Sequence, residues 1–480
     1  MPSRILEIGE GEQHDQAVYL RSREDLTPQP YMTLSHCWGG TTPMRLTKES
    51  EEALKAGISV NSLPKTFRDA IYVVGEFGAS HIWIDSLCIL QDNLQDWEDE
   101  AGVMCDVYSN AICNIAATGA RDGSIGLFFE RDTVVECPFY TTPELELQIG
   151  WDGRVLSSPQ GTLMVYPRDQ WERDVEHAPL NRRAWVMQER FLSTRVLHFS
   201  DSQVFWECPK NTASEVFPDE IPITGRPIWY FDSHQLKRVF FQAGREDGWA
   251  DRVYFWWQVF VRGYSRCGLS KDDDKLVAIH GIGKVISRAI GDELVGGLWQ
   301  KRLIQELCWR RHLGYEEKET YTSLYPSHWR APSWSWASTN VAMHPSNMRH
   351  HERCANLRRN ATVEAIDVVA NGSGQLERAV LRIRGKLING SKWDNVKLDC
   401  PSLDPESTDG IFCLVMISCS CNVLPLREDE TEPSWFCEGL ALRVIDGDRY
   451  ERIGVVEVSP RPGIISPENE AEGQQIITIV

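Results

Sequence analysis

The apolar positions of the first 120 residues alternate between two spacings. YMTLSHCW, Tyr31 to Trp38, is a compact apolar run ending at Gly39-Gly40, and it predicts a buried strand closed by a turn. In the next segment, SLPKTFRDAIYVVGEFG, residues Leu63, Phe67, Ala70, Ile71, Val74 and Phe77 fall on one helical stripe. Ser62 is placed to cap that helix, Pro64 suits its first turn, and Gly78 can close its far end. HIWID, His81 to Asp85, predicts a second strand. DWEDEAGVMCDVYSNA then predicts a helix with Asp96 as its cap, where Glu98, Asp99 and Glu100 complement the helix dipole. AICNIAA, Ala111 to Ala117, completes the pattern as a third strand. Strand, helix, strand, helix, strand implies an α/β fold with parallel strands joined by crossovers.

Residues 118 to 180 lack this rhythm and read as inserted loops and hairpins, with Asp152-Gly153 as a tight turn between ELELQIGW and RVLSS. Helical spacing returns from Pro179 to Ser193, and RVLHF and QVFWE then form a hairpin around Ser200, Asp201 and Ser202. Further helices are expected near 249–265, 273–291 and 297–312. Beyond Ser333 the runs ATVEAIDVV, AVLRIRGKL, IFCLVMIS and RIGVVEVS alternate, so the last part is expected to be β-rich, with REDETEP as a solvated loop. The expected organisation is an α/β domain at 1–210 (core 31–208), a mainly helical segment at 211–330, and a β-rich domain at 331–480.

Composition refines this picture little. The chain has 480 residues, too many for one ordinary core. Its 18 tryptophans are expected mostly in cores and seams. A net charge of -19 argues against nucleic acid or an anionic membrane as partner, because both select a basic face. The start, MPSRILEIGEGEQHD, lacks a signal-peptide core, no apolar stretch is long enough to span a bilayer, and the 14 cysteines show no repeated spacing. Cys419 and Cys421 alternate along an expected strand and have no second pair to make a zinc site, so no metal is expected. A cytoplasmic protein with reduced thiols is the expectation.

Three blocks carry a resemblance: YMTLSHCWGG at 31–40, LPKTFRDAI through WIDSLCILQDNLQDWEDEAGVMCDVYSNA at 63–111, and NRRAWVMQERFLSTRVLHFSDSQVFWEC at 181–208. In order and spacing, with GLFFERD at 126–132 between them, they resemble the fungal heterokaryon-incompatibility (HET) domain family. Two later segments, YSRCGLSKDDDKLVAIHGI and APSWSWAS, resemble the extension that follows many such domains. The resemblance implies non-self recognition after hyphal fusion, ending in cell death. It also implies a TIR-like, flavodoxin-like parallel sheet, because HET domains are distantly similar to Toll/interleukin-1 receptor (TIR) domains. Some TIR domains cleave NAD with the glutamate of a W-x-x-x-E motif, and Trp185 and Glu189 stand at that spacing here. Other relatives sit in secondary-metabolite pathways. The nucleotide-switch and repeat sensors of several incompatibility proteins are absent from this sequence.

Ligands of open parallel sheets bind at the carboxyl ends of strands. That edge would present His36, Cys37 and Trp38 after the first strand, and Asp85, Ser86 and Cys88 after the second, with Glu189 and Arg190 arriving from a helix. Glu189 would steady a ribosyl oxocarbenium-like centre as glycosidase carboxylates do, with His36 and Asp85 as its catalytic partners. Trp38, Ser86, Cys88, Trp185 and Arg190 would bind the substrate, Trp185 by stacking and Arg190 by holding a phosphate. Each has a structural alternative: Trp185 as core, Glu189–Arg190 as a surface pair, His36 as an internal hydrogen-bond partner, Asp85 as a cap, and Cys88 as a small buried hydrophobe. Gly281-Ile-Gly283-Lys284 fails the phosphate-loop spacing, and neither an H-E-x-x-H pair nor a G-x-S-x-G elbow occurs. NAD as substrate, self-association, a tailoring reaction on a small secondary metabolite, and an interaction module without turnover all remain open at this point.

Overall fold

The computed structural model describes residues 1–11, 16–39, 44–131, 139–141, 163–165, 167, 169–222, 233–242, 246–311, 325–345, 357–389, 396–399, 410–420, 435–458 and 473–480. The chain divides into two compact units, one formed essentially by residues 1–245 and the other by 246–480 together with the short stretch 101–104. The Asp152-Gly153 turn and the REDETEP loop lie outside the described residues.

In the first unit the described strands are β1 (Arg4–Ile8), β2 (Ala17–Ser22), β3 (Met32–Ser35), β4 (Ile58–Ser59), β5 (His81–Ile84), β6 (Asn114–Ala116), a separate pair β7 (Phe139–Thr141) and β8 (Leu163–Val165), then β9 (Val196–Phe199), β10 (Val204–Glu207) and β11 (Thr212–Ser214). The helices are α1 (Glu51–Ala56), α2 (Lys65–Glu76), α3 (Asp85–Cys88), α4 (Leu94–Ser109), α5 (Ala184–Leu192) and α6 (Ser233–Phe240). Among the described residues one sheet has nine strands in the order β11-β10-β9-β6-β3-β5-β1-β2-β4. Its centre is parallel: β3 pairs with both β5 and β6, and β6 with β9. The outer strands are antiparallel. The three segments expected to be parallel neighbours therefore are, and RVLHF and QVFWE do form a hairpin.

The parallel strands are buried on both faces, which explains their near-continuous apolar runs. Met32, Leu34, Ile82, Ile84 and Ile115 are each at most 1% exposed. From α2, Phe67, Ala70, Ile71 and Val74 are buried, and each large side chain so placed contributes roughly 1.5–3 kcal/mol. Phe77 departs from the expected stripe: it is the residue after the last turn and is 49% exposed. Two expected caps also differ. Ser62 lies in a 3-10 turn and donates to the Ser59 carbonyl, leaving Pro64 to precede α2. At α4 the cap is Asn93, whose side chain accepts from the Asp96 N–H. Asp96 itself is taken by Arg4 Nη2 at 2.5 Å and the Leu90 N–H at 2.8 Å, a stronger claim on a carboxylate than an exposed cap.

The second unit begins with α7 (Trp249–Tyr264) and α8 (Asp274–Ile290), close to expectation. The third expected helix is not continuous. A short strand pair β12 (Leu294–Val295) and β13 (Leu298–Trp299) turns at Gly296 and Gly297, both at positive φ, and only Leu303–Glu306 forms an α-helix, α9. The Trp299 N–H donates to Glu306 Oε2 at 2.7 Å, so the segment folds back on itself instead of extending. After the small pair β14 (Arg310–Arg311) and β15 (Met343–His344) come β16 (Arg358–Arg359), β17 (Thr362–Ala370), β18 (Leu376–Asn389), β19 (Val396–Leu398), β20 (Ile411–Ser420), β21 (Trp435–Asp446), β22 (Arg449–Val458) and β23 (Gln474–Ile479). Pairing runs β20-β21-β22-β23-β18, and β18 pairs back to β20, which closes these strands into a barrel. This is the β-rich region that the alternating runs predicted.

Candidate functional site

β5, β3, β6 and β9 follow one another across the sheet, so the chain order reverses between β3 and β6. At such a switch point the strand ends leave a crevice, and ligands of open α/β sheets bind there. Three polar side chains of the central strands lead to it. Thr33 Oγ1 donates to Asn114 Oδ1 at 3.0 Å, and Asn114 Nδ2 donates to Ser35 Oγ at 2.9 Å. Ser35 Oγ in turn donates to Glu189 Oε2, which also accepts from the Tyr108 hydroxyl at 2.9 Å. The Ser35 hydroxyl also lies 3.2 Å from Asn114 Oδ1, so these side chains form one connected buried network that reaches the Glu189 carboxylate, in which each bond polarises the next.

Glu189 is 6% exposed. Burial pushes its carboxyl up to about 7, helped by the nearby charge of Asp85 and opposed by Ser35, Arg183 and Tyr108. Asp85 opens α3 directly after β5. Its Oδ1 accepts from the Ser86 N–H at 2.7 Å and lies 3.6 Å from His36 Nδ1, while its Oδ2 accepts from the Trp38 indole at 3.1 Å. His36 is buried and stands edge-on to Phe67, and neither ring nitrogen has a hydrogen-bond partner among the described residues. Burial lowers its pKa, Asp85 opposes this, and Arg183 adds to it, so the imidazole is neutral at neutral pH. Arg183 Nη1 donates to the His36 carbonyl. Gly39 follows Trp38 at φ +74°, and a Cβ there would lie 2.4 Å from Asp122 Cβ, so this turn requires glycine.

His36, Trp38, Asp85 and Glu189 are thus brought to one edge of the sheet. Trp185 lies one turn before Glu189, half-buried and edge-on to Trp97 at 6.1 Å. Three other expected substrate-binding side chains are engaged or closed off. Arg190 leaves α5 on another side and is fully desolvated: its guanidinium bonds both oxygens of Glu176 at 2.8 and 3.0 Å and Glu207 at 2.6 Å. Lys237 joins it, donating to Glu207 Oε1 at 3.0 Å. A guanidinium so engaged has no arm left for a phosphate. Ser86 and Cys88 are sealed at 0% exposure, and burial raises the Cys88 thiol to about 12, which keeps it protonated. Ser35, Tyr108, Asn114 and Arg183 were not anticipated. Thr33, Ser35 and Asn114 did carry a signal, being polar positions in strands otherwise apolar on both faces. Among the described residues no group of His, Cys, Asp or Glu side chains could hold a metal ion, and no helix is long and apolar enough to cross a membrane.

No curated protein and no solved structure gives a significant match to the chain. A family model does: residues 31–189 match Heterokaryon incompatibility protein (HET). The matched stretch starts at the head of β3 and ends on Glu189, and it contains every side chain that meets at the crevice. Residues 31–189 of this chain therefore belong to the heterokaryon-incompatibility family.

Proposed function

We propose that the HET domain of this chain is an incompatibility effector that brings about cell death by cleaving NAD at the carboxyl edge of its sheet. The observation that carries the reading is the meeting of Glu189, held by Ser35 and Tyr108, with the Asp85–His36–Trp38 group at neighbouring strand ends. The strand order β5-β3-β6-β9 supports a TIR-like, flavodoxin-like class for the domain, since that class places its first strand second and binds ligands at the same switch point.

The chemistry asks little of a general acid. The bond from the ribose C1′ to the nicotinamide nitrogen breaks, its electron pair stays with nitrogen, and nicotinamide leaves neutral. Positive charge develops at C1′, where ionised Glu189 stabilises it. Water then adds to C1′ and loses a proton, for which neutral His36, 3.6 Å from Asp85, is the acceptor. The products are ADP-ribose, nicotinamide and a proton. Trp38 and Trp185 supply aromatic faces for the bases.

The test is NAD loss with the purified chain, wild type against Glu189→Gln, with circular dichroism and melting as fold control. Losing a charge partner of the transition state is expected to reduce the rate about a hundredfold or more. Expression in a fungal host should kill with wild type and spare with Glu189→Gln. Absence of NAD loss by wild type, or equal loss by the mutant, would overturn the reading.

A further inference from the structure

The second unit contains a small cavity of about 20 Å³ lined by Trp257, Gln258, Leu298, Glu306, Trp309 and Trp336, with Met343 at its wall. Three indoles around one acid is an unusual lining. Glu306 is 6% exposed, its Oε2 accepts the Trp299 N–H at 2.7 Å, and Gln258 hydrogen-bonds the same carboxyl group. Its other oxygen, Oε1, is buried and has no hydrogen-bond partner among the described residues. A buried acceptor left without a donor is a standing cost to the fold, and native structures keep few of them without a reason.

We propose that this cavity is a receptor for an ammonium head group, a primary or N-methylated amine, with Glu306 as its counter-ion and Trp257, Trp309 and Trp336 as its walls. An N–H of the ammonium would satisfy Oε1, and indole faces attract cations through the ring quadrupole. Size limits the guest: the space holds a group of roughly one or two water volumes, enough for a methylammonium head and too little for a heterocycle. Two of the rings already meet cations of the chain, Trp309 with Arg452 at 3.6 Å and Trp336 with Lys275 at 5.7 Å, which shows that they suit such contacts. Arg452 is neutralised by its ion pair with Asp399. The charges that act on the Glu306 carboxyl are Arg302 and Asp292, of opposite sign, and the Tyr254 hydroxyl is bonded to Asp292.

Burial holds Glu306 up to about 8, so binding at neutral pH releases the carboxyl proton to solvent, and affinity rises as pH increases toward that value. The probe is methylammonium chloride, titrated into the full chain at pH 6.5 and 8.5 while tryptophan fluorescence is followed, with sodium chloride at equal ionic strength as control. The proposal expects a saturable change with methylammonium alone, at least tenfold tighter at pH 8.5, and loss of binding in Glu306→Gln. Met343→Phe, which fills the cavity and leaves the acid in place, should also abolish it. No saturable change up to 100-fold the protein concentration and beyond into the molar range, or binding that persists unchanged in a folded Glu306→Gln, overturns the proposal. If Glu306→Gln does not fold, Met343→Phe and the pH ratio decide alone.

Discussion

Two hydroxyls decide how Glu189 titrates. Ser35 and Tyr108 both donate to its Oε2, and both work against the burial that lifts the carboxyl to about 7. Tyr108→Phe removes one donor with little change of shape. A hydrogen bond to a charged group is worth about 1.5–3 kcal/mol, so the carboxyl should titrate about one unit or more higher. Because the ionised form is the one that stabilises the ribosyl centre, the rate of NAD cleavage is expected to rise with pH through about 7 in wild type. In Tyr108→Phe that rise should move to higher pH while the plateau rate is largely retained. A pH–rate profile of both proteins checks this, and an unshifted midpoint would deny Tyr108 its positioning role. At this scale the sequence was partly legible. His36 and Asp85 stand out because polar residues directly after apolar strands are not demanded by packing, and Glu189, on a helix, stood out only by its W-x-x-x-E spacing from Trp185. Tyr108 was hidden because, on a helix, a tyrosine that serves a carboxylate has the same spacing as one that fills a core. Arg190 misled for a related reason: adjacent residues on a helix point about 100° apart, so sharing a motif with Glu189 did not mean sharing a site.

The elements around the site are tied together by a second buried group. Arg190 of α5 bonds Glu176, at the end of the π-helical turn Glu172–Glu176, and Glu207 of β10, while Lys237 of α6 bonds Glu207 and the Arg190 carbonyl. Trp171 donates to Glu176 at 3.0 Å, and His198 approaches Glu207 at 3.3 Å. All these charges are out of water, so removing one leaves others unpaired. Arg190→Met is expected to destabilise the first unit by about 3–5 kcal/mol, against about 0–1 kcal/mol for an exposed pair. Urea unfolding measures the difference, and a loss within the exposed range would show that the network carries no structural weight. Since α5 also carries Glu189, the same mutation is expected to lower NAD cleavage through misplacement. Periodicity revealed β3, α2, β5, α4 and β6 because each has one clear apolar spacing. It did not reveal β1 and β2, whose alternating charges, Arg4, Glu7 and Arg21, make them look like loop, although Leu6, Val18 and Leu20 are buried. The third helix of the second unit failed because it was expected to begin at Gly297, whereas Gly296 and Gly297 form the positive-φ turn of a short strand pair.

Across the whole molecule, stability is set against pH by buried groups of opposite sense. The acids Glu189 and Glu306 are raised to about 7 and about 8, whereas Lys275 is lowered to about 7 by burial and by Arg330. For a raised acid the folded state holds its proton more tightly than the unfolded chain, so stability is fullest below the ordinary carboxyl value and falls as pH rises through the folded pKa. Lys275 has the reverse sense: its cost is complete below about 7 and is relieved toward the ordinary lysine value of 10.5. The net curve mixes these slopes, and single variants separate them. Glutamine in place of Glu306 cannot ionise, so the melting temperature of Glu306→Gln minus that of wild type is expected to be flat below about pH 4.5. It should widen as pH rises to about 8 and stay constant above, corresponding to a stability difference on the order of a few kcal/mol in favour of the variant. Calorimetry of the two proteins across that range is the measurement. A gap that does not change with pH would mean that Glu306 titrates as an ordinary carboxyl, and the strain attributed to its unpaired oxygen would then be absent. Saturating methylammonium gives the complementary reading: it should raise the melting temperature of wild type at pH 8, where the ionised acid is most costly, and leave Glu306→Gln where it was.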